Sequence, residues 1–151
     1  MTTHELYIPI SGPGLTPQSR SHWSFLLRTP GATYGDLLHV QVIDLAKLWY
    51  QFDAREGIDL SRRSLQAEGM VKIANLTADQ RRRAIAVIRN EAAPRDGKRR
   101  CQEWIVDALV GLEVEELVEG GMAERWSRFV GWRAEDIKRC MLGEGRWVAL
   151  K

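Results

Sequence analysis

Arg99-Arg100-Cys101-Gln102-Glu103-Trp104-Ile105-Val106-Asp107-Ala108-Leu109 is the stretch on which the reading of this chain turns. Cys101, Trp104, Ile105, Ala108, Leu109 and Leu112 recur at the spacing of one helix face, so the spacing predicts a helix that opens at the thiol and turns it toward a core. In a first helical turn the free backbone N–H groups and the helix dipole favour thiolate over thiol. The basic run Arg95, Lys98, Arg99, Arg100 just upstream is expected to act in the same direction. Cys101 therefore reads as a candidate nucleophile, with the small buried hydrophobe as its alternative role.

Working outward, the residues before this helix carry a capping box in Thr77-Ala78-Asp79-Gln80, a helical face in Ala84, Ile85, Ile88 and Ala92, and a stop at Pro94. After it, the cysteine helix is expected to run to about Val118, before Gly120-Gly121. Glu124 to Trp132 and Ala134 to Leu142 read as one broken or two short helices, and Trp147 to Leu150 as an extra strand.

The N-terminal half is mostly β. Leu6 to Ile10 form a strand closed by Ser11-Gly12-Pro13-Gly14, and His22 to Leu27 and Leu37 to Ile43 form two more that pair antiparallel across Pro30-Gly31. Leu48 to Asp53 and Gly69 to Ala74 complete the set. Strands first and helices after Thr77 predict an α+β fold, a small antiparallel sheet packed against helices, as a single domain over 1–151.

Composition narrows the function classes. The chain has 151 residues, 44% hydrophobic and 28% charged, with a net charge of +2, a balance that argues neither for nor against a polyanionic partner. Cys101 and Cys140 make no disulfide framework and have no metal-ligand spacing; Cys140 lies late in a helix and reads as structural. Met1 to Ser11 holds too short an apolar run for a signal peptide, and no stretch approaches a membrane span, so a soluble, cytoplasmic protein is expected.

A thiol nucleophile needs a base that later serves as acid, and histidine does both near neutral pH. His4 lies near the terminus, whereas His22 opens the second strand and His39 sits inside the third. Folding the hairpin about Pro30-Gly31 sets His22 opposite His39, where cross-strand Cβ atoms are about 5 Å apart and one ring can orient the other. The ordinary roles of such residues are a hydrogen-bonding strand end and a satisfied core histidine. His22, His39 and Cys101 are also zinc-ligand types, but no close-spaced motif supports a metal, and no metal or cofactor is expected.

A His-Trp strand, a hairpin return carrying Leu38-His39-Val40, and then a cysteine opening a helix resemble the circularly permuted NlpC-type thiol enzymes of the papain-like superfamily, which include lecithin–retinol acyltransferase-like and PPPDE-like proteins. Cys101-Gln102-Glu103-Trp104 is similar to a Cys-Gln-x-Trp motif of uncharacterised fungal proteins of that fold. The resemblance covers most of the span from Leu6 to Glu119. It implies a permuted papain-like fold and a Cys-His-His triad in which Cys101 attacks a carbonyl, His22 is general base and acid, and His39 orients His22. A thioester intermediate then passes its acyl group to water (amidase, peptidase, thioesterase) or to another nucleophile (acyltransferase, cyclase). Arg100 and Gln102 stand where the acyltransferases have other residues, so the fold carries over further than the substrate.

Further candidates flank the thiol. Backbone N–H groups of the first helical turn are the expected oxyanion donors, with Gln102 and Tyr7 as side-chain candidates; Gln102 alternatively is a solvated first-turn residue and Tyr7 a core one. Trp23 and Trp104 are candidates to line an acyl pocket, core packing being the alternative for both. The expected substrate is a small-molecule or peptide acyl compound, and a tailoring step in small-molecule biosynthesis fits as well as proteolysis. A non-catalytic binding or effector module of the same fold is the alternative reading. A basic surface built on Arg81-Arg82-Arg83 and Lys98-Arg99-Arg100 is a lesser one, since such runs are usually solvated faces, and nucleic acid is not an expected partner.

Overall fold

The computed structural model describes residues 3–151; Met1 and Thr2, which open the stretch read for a leader and begin the expected domain, lie outside them. The elements in chain order are β1 (Thr3–Ser11), β2 (His22–Trp23), β3 (Phe25–Arg28), β4 (Tyr34–Asp44), β5 (Trp49–Asp59), α1 (Arg62–Leu65), β6 (Ala67–Thr77), α2 (Ala78–Asn90), α3 (Cys101–Val114), α4 (Met122–Phe129), α5 (Ala134–Gly143) and β7 (Trp147–Val148). The fold is α+β. One open sheet has the order β5-β4-β3-β1-β6-β7, with β2 also paired to β1. Each of these pairings is antiparallel.

Strand alternation sorts the sheet into two faces. Leu6, Ile8 and Ile10 of β1, Phe25 and Leu27 of β3, Leu38 and Val40 of β4 and Val71 and Ile73 of β6 meet the buried faces of α2 to α5 in the main core. Tyr7, Leu26, Leu37 and Met70, each next to one of them in its strand, join Leu60 in a smaller cluster on the other face. β1 lies between β3 and β6 and is buried on both faces, which is why its sequence is a nearly unbroken apolar run. α3 anchors the helical layer. Trp104, Ile105, Ala108, Leu109 and Leu112 are all inaccessible to solvent, and Trp104 packs its ring 5.8 Å from that of Phe25.

The expected capping box forms: Thr77 Oγ1 accepts from Gln80 N–H at 3.1 Å and Gln80 Oε1 accepts from Thr77 N–H at 2.9 Å. α2 stops at Asn90, earlier than Pro94 requires, so Ala92 lies beyond the helix and is exposed. α3 ends at Val114 rather than near Val118, and the two helices after it are separate. β5 runs to Asp59, well past Asp53, because an edge strand with one polar side needs no apolar alternation to persist. α1 was not foreseeable from periodicity: it is four residues long, capped by Ser61, and has no buried residue.

The β3–β4 ladder pairs Phe25 with Leu38, Leu26 with Leu37 and Leu27 with Asp36. It is therefore centred on Gly31-Ala32, one position later than Pro30-Gly31. Extended along the strands, this register sets His39 opposite Ser24 and moves His22 two residues along. A two-residue offset keeps the face of every side chain, so the two imidazoles remain neighbours, now on the diagonal. Ser24 also interrupts the strand: β2 stays paired to β1 through Ile10–Trp23 and Ser11–His22, while pairing to β4 stops at Phe25. The gap this leaves beside β4 is where α3 begins. No helix among the described residues is long and apolar enough to cross a membrane.

Candidate functional site

A cavity of about 360 Å³ occupies the gap, lined by the end of the loop before β2 (Gln18 to His22), His39 to Val42 of β4, Tyr50 of β5, and Arg100 and Cys101 at the start of α3. His22, His39 and Cys101 thus meet around one space. The tie between the histidines is direct, His22 Nε2 lying 3.0 Å from His39 Nδ1 with the rings edge to face at 82°.

Beyond His39 stands a residue that sequence reasoning missed. Asp53, paired across the ladder with His39, places Oδ2 at 3.0 Å from His39 Nε2, and Arg55 Nε donates to the same oxygen at 2.8 Å. The hydrogen bond from His39, then that from Arg55, holds the Asp53 carboxyl below its usual range, so it is ionised and can only accept. Proton order follows along the line. His39 donates through Nε2–H to Asp53, its Nδ1 accepts from His22 Nε2–H, and His22 is left with its lone pair on Nδ1. Burial, reinforced by His39, pushes the His22 pKa down to about 4, which keeps that ring neutral at physiological pH and weakens it as a base.

The thiol does not match the field expected of it. Burial pushes the Cys101 pKa up, outweighing the N–H of Trp23, the charge of Arg20 and the N–H of Gln102, with Glu103 adding to the rise. The basic run contributes little because much of it is engaged elsewhere. Arg99 pairs with Asp96 and Asp107, and Arg95 stacks over Trp49. Cys101 and His22 therefore rest as neutral thiol and neutral imidazole. The backbone N–H groups of Trp23 and Gln102 lie near enough to the sulfur to favour negative charge developing there.

Gln102 is fully buried, not solvated: its Nε2 donates to Ser21 O at 3.0 Å and its Oε1 accepts from Gly131 N–H at 2.9 Å. It fastens the residue before His22 to the residue after Cys101 and stands outside the cavity lining. Ser21 is held from the other side by its hydroxyl, which donates to Gly12 O at 2.7 Å. Arg20 forks onto Glu103 at 2.6 and 3.2 Å, and Glu103 also accepts from the Arg100 N–H at 2.8 Å, which closes the N-terminus of α3.

Tyr7, Trp23 and Trp104 are in the core. Tyr7 lies in the cluster on the opposite sheet face with its hydroxyl accepting from Arg28. Trp23 packs edge to face on Trp126 at 5.0 Å. Trp104 donates its Nε1–H to Glu91 O at 3.2 Å. None of the three lines the cavity. Cys140, read as structural, is exposed and contributes nothing to the core. His4 lies in β1, paired with Leu76. Arg81, Arg82 and Arg83 pair with Asp36, Asp79 and Glu115, so that triplet offers little free charge to a polyanion. Among the described residues no group of three or more His, Cys, Asp and Glu side chains is arranged to hold a metal ion.

Fold and site together define an α+β protein in which a half-buried thiol shares a cavity with the two histidines of a histidine–histidine–aspartate line. Residues 11–119, most of the chain, match the model of a family of unknown function (DUF6540), and the chain belongs to that family. The match covers Cys101, His22, His39 and Asp53. No curated protein and no solved structure matches the chain.

Proposed function

We propose that this chain is a thiol-dependent acyl-transfer enzyme of permuted papain-like architecture, acting on an amide, ester or thioester of a small molecule or peptide. The observation that carries the reading is the ordered hydrogen-bond line from Asp53 through His39 to His22, which leaves an acceptor nitrogen on His22 at the cavity that Cys101 also lines. The strand order, with the histidines before the cysteine and the cysteine heading a helix packed on the sheet, supports the architecture.

As Cys101 Sγ bonds to the substrate carbonyl carbon, its proton passes to His22 Nδ1, and the carbonyl electron pair moves onto oxygen. The resulting imidazolium is stabilised through His39 by the Asp53 carboxylate. The oxyanion takes hydrogen bonds from backbone N–H groups near the sulfur. Collapse expels the amine, alcohol or thiol, which leaves with the proton from His22, and a thioester remains on Cys101. Water or a second nucleophile then gives its proton to His22, attacks the thioester and frees the thiol. Because the thiol rests neutral, its deprotonation accompanies attack, a transfer that the raised thiol pKa and the lowered His22 pKa make uphill and that hydrogen bonds to the oxyanion must offset.

Incubation with 4-nitrophenyl acetate followed by peptide mass spectrometry tests the reading, with exposed Cys140 as the internal reference. The expected result is acetyl on Cys101 in excess over Cys140, lost when His22 is replaced by Gln. Equal labelling of the two thiols, or labelling of Cys101 indifferent to His22→Gln, overturns it. A binding module of the same architecture is the second reading; the raised thiol pKa favours it, and the overturning result is the one it predicts.

A further inference from the structure

The cavity beside Cys101 is lined by two cations, Arg20 and Arg100, and, among the described residues, by no carboxylate. The charges of the two arginines are not equally available. Arg20 is neutralised by the two-pronged contact with Glu103. Arg100 makes no ion pair among the described residues; its guanidinium donates to Gln18 O at 3.1 Å, a neutral acceptor that leaves the charge unmatched.

Tyr50 supplies a second, independent feature. It is more than nine-tenths buried, and its polar contacts run through its backbone: the N–H donates to Pro94 O at 2.9 Å and the carbonyl accepts from Arg95 Nε at 3.4 Å. The hydroxyl, at the cavity wall, has no hydrogen-bond partner among the described residues. Burial raises the Tyr50 pKa; Cys101 adds to the rise and Arg100 and Arg20 oppose it, so the hydroxyl keeps its proton and lies within the field of the sulfur and of both guanidinium groups. A hydroxyl donor that opens onto the cavity without a protein acceptor, next to a cation without a counterion, is a pair that an anion satisfies at once.

We infer that the cavity accepts a substrate bearing a carboxylate within a few bonds of its scissile carbonyl, bound by the Arg100 guanidinium and the Tyr50 hydroxyl. The inference deepens the acyl-transfer reading and rests on it for the word substrate. A volume of about 360 Å³ suits a small carboxylic acid derivative rather than a folded polypeptide segment. Arg100 thereby has a use that accounts for an unpaired cation at the N-terminus of α3, where the helix dipole already favours negative charge.

Iodoacetate and iodoacetamide alkylate a thiol by the same displacement of iodide and differ in carrying a carboxylate or a carboxamide. Their relative rates at Cys101, measured on the full chain by peptide mass spectrometry, read the subsite directly, with N-acetylcysteine amide as the reference thiol. The expected ratio of iodoacetate to iodoacetamide at Cys101 exceeds the reference by about tenfold, the factor that about 1.4 kcal/mol of anion binding gives. Arg100→Gln returns it to the reference, and Tyr50→Phe lowers it by a smaller factor, with folding of both variants checked by circular dichroism. A ratio equal to the reference in the native chain, or one that survives Arg100→Gln, overturns the inference. Failure of the two readings is distinguishable: a raised ratio without acetylation by 4-nitrophenyl acetate removes the enzyme and keeps the anion site, and acetylation with a reference ratio removes only the site.

Discussion

The two cysteines sit in helices of similar length and have opposite surroundings. Cys101 opens α3, is half-buried and shares its cavity with His22 and His39, behind which stands Asp53. Cys140 lies in the last turns of α5, is exposed, and borders a mostly apolar cavity of about 740 Å³ with Leu15, Pro17 and Trp132. No histidine lines that second cavity. A thiol gains directed chemistry from a base with a defined lone pair, and a roomy apolar hollow provides none. The larger cavity is for that reason the less informative one.

The sharpest way to break the contrast is to remove the proposed base. His22→Gln is expected to slow acetylation of Cys101 by about 10²- to 10⁴-fold, the usual contribution of a general base, while leaving Cys140 as it was. The pH profile tells the mechanism apart from a simple loss of fit. With His22 neutral above about 4, acylation of the native chain rises through that region and is flat across neutrality. In His22→Gln the reaction must wait for thiolate, which burial delays beyond the ordinary thiol range, so the rate climbs only in alkali. Stopped-flow release of nitrophenolate against pH measures both limbs.

A packing variant sharpens the same contrast from the structural side. Trp104→Ala removes a fully buried ring from beneath the α3 layer, where it touches Phe25 and Phe52, and is expected to cost about 3–5 kcal/mol in denaturant unfolding. Leu142→Ala, on the exposed side of α5 near Cys140, is expected to stay within about 0.5 kcal/mol.

Much of the Cys101 region was legible because its determinants are local. Cysteine at a helix start, the apolar stripe below it, and a hairpin returning one histidine toward another are patterns within short windows. The hairpin centre was displaced by one residue, yet the site survived, since displacing the centre by one shifts the register by two and preserves the face. Asp53 was missed although the same reasoning reaches it: folding the next hairpin about Ala46 sets Asp53 opposite His39, as the ladder does. Two other features depend on distant chain and leave no local mark. The Cys101 pKa is governed by burial in the assembled fold rather than by the dipole of its own helix. Gln102 lies at the same spacing as Ile105, Leu109 and Leu112, a polar member of a second buried stripe, and its partners Ser21 and Gly131 belong to segments far away in sequence.

Acid stability gives the next smaller effect. His22 has its pKa lowered from 6.5 to about 4 on folding, so at high pH both folded and unfolded chains hold it neutral and it contributes no pH dependence. Below 6.5 the unfolded chain takes up a proton that the folded chain refuses, and stability falls until about pH 4, by roughly 3 kcal/mol in all. Asp53 acts in a different window: its lowered pKa contributes stability above the ordinary carboxyl range that is lost only as pH falls through its depressed value. Urea midpoints from pH 7 to 4 are expected to drop in the native chain and to drop less in His22→Gln. An equal drop in both removes the buried neutral imidazole from the account.

Asp53→Asn should have a smaller catalytic effect than His22→Gln and still test the proton order. Asparagine can offer its amide oxygen to His39 Nε2–H, which keeps the order of donors along the line, but it removes the negative charge that stabilises the imidazolium formed on His22 two partners away. Transmission through His39 and partial exposure of Asp53 weaken that charge, so a loss of about ten- to a hundredfold in Cys101 acetylation is expected, less than for His22→Gln. The amide can also rotate its NH₂ toward His39. That forces His39 to donate from Nδ1 to His22, moves the His22 proton to the cavity side, and abolishes base function as fully as His22→Gln does. A loss equal to that of His22→Gln therefore reports the reversed order, and no loss at all removes Asp53 from the line. Arg55→Gln leaves the carboxylate and its bond to His39 in place and is expected to change the rate by no more than about threefold, which separates the charge of Asp53 from the ion pair at its outer edge.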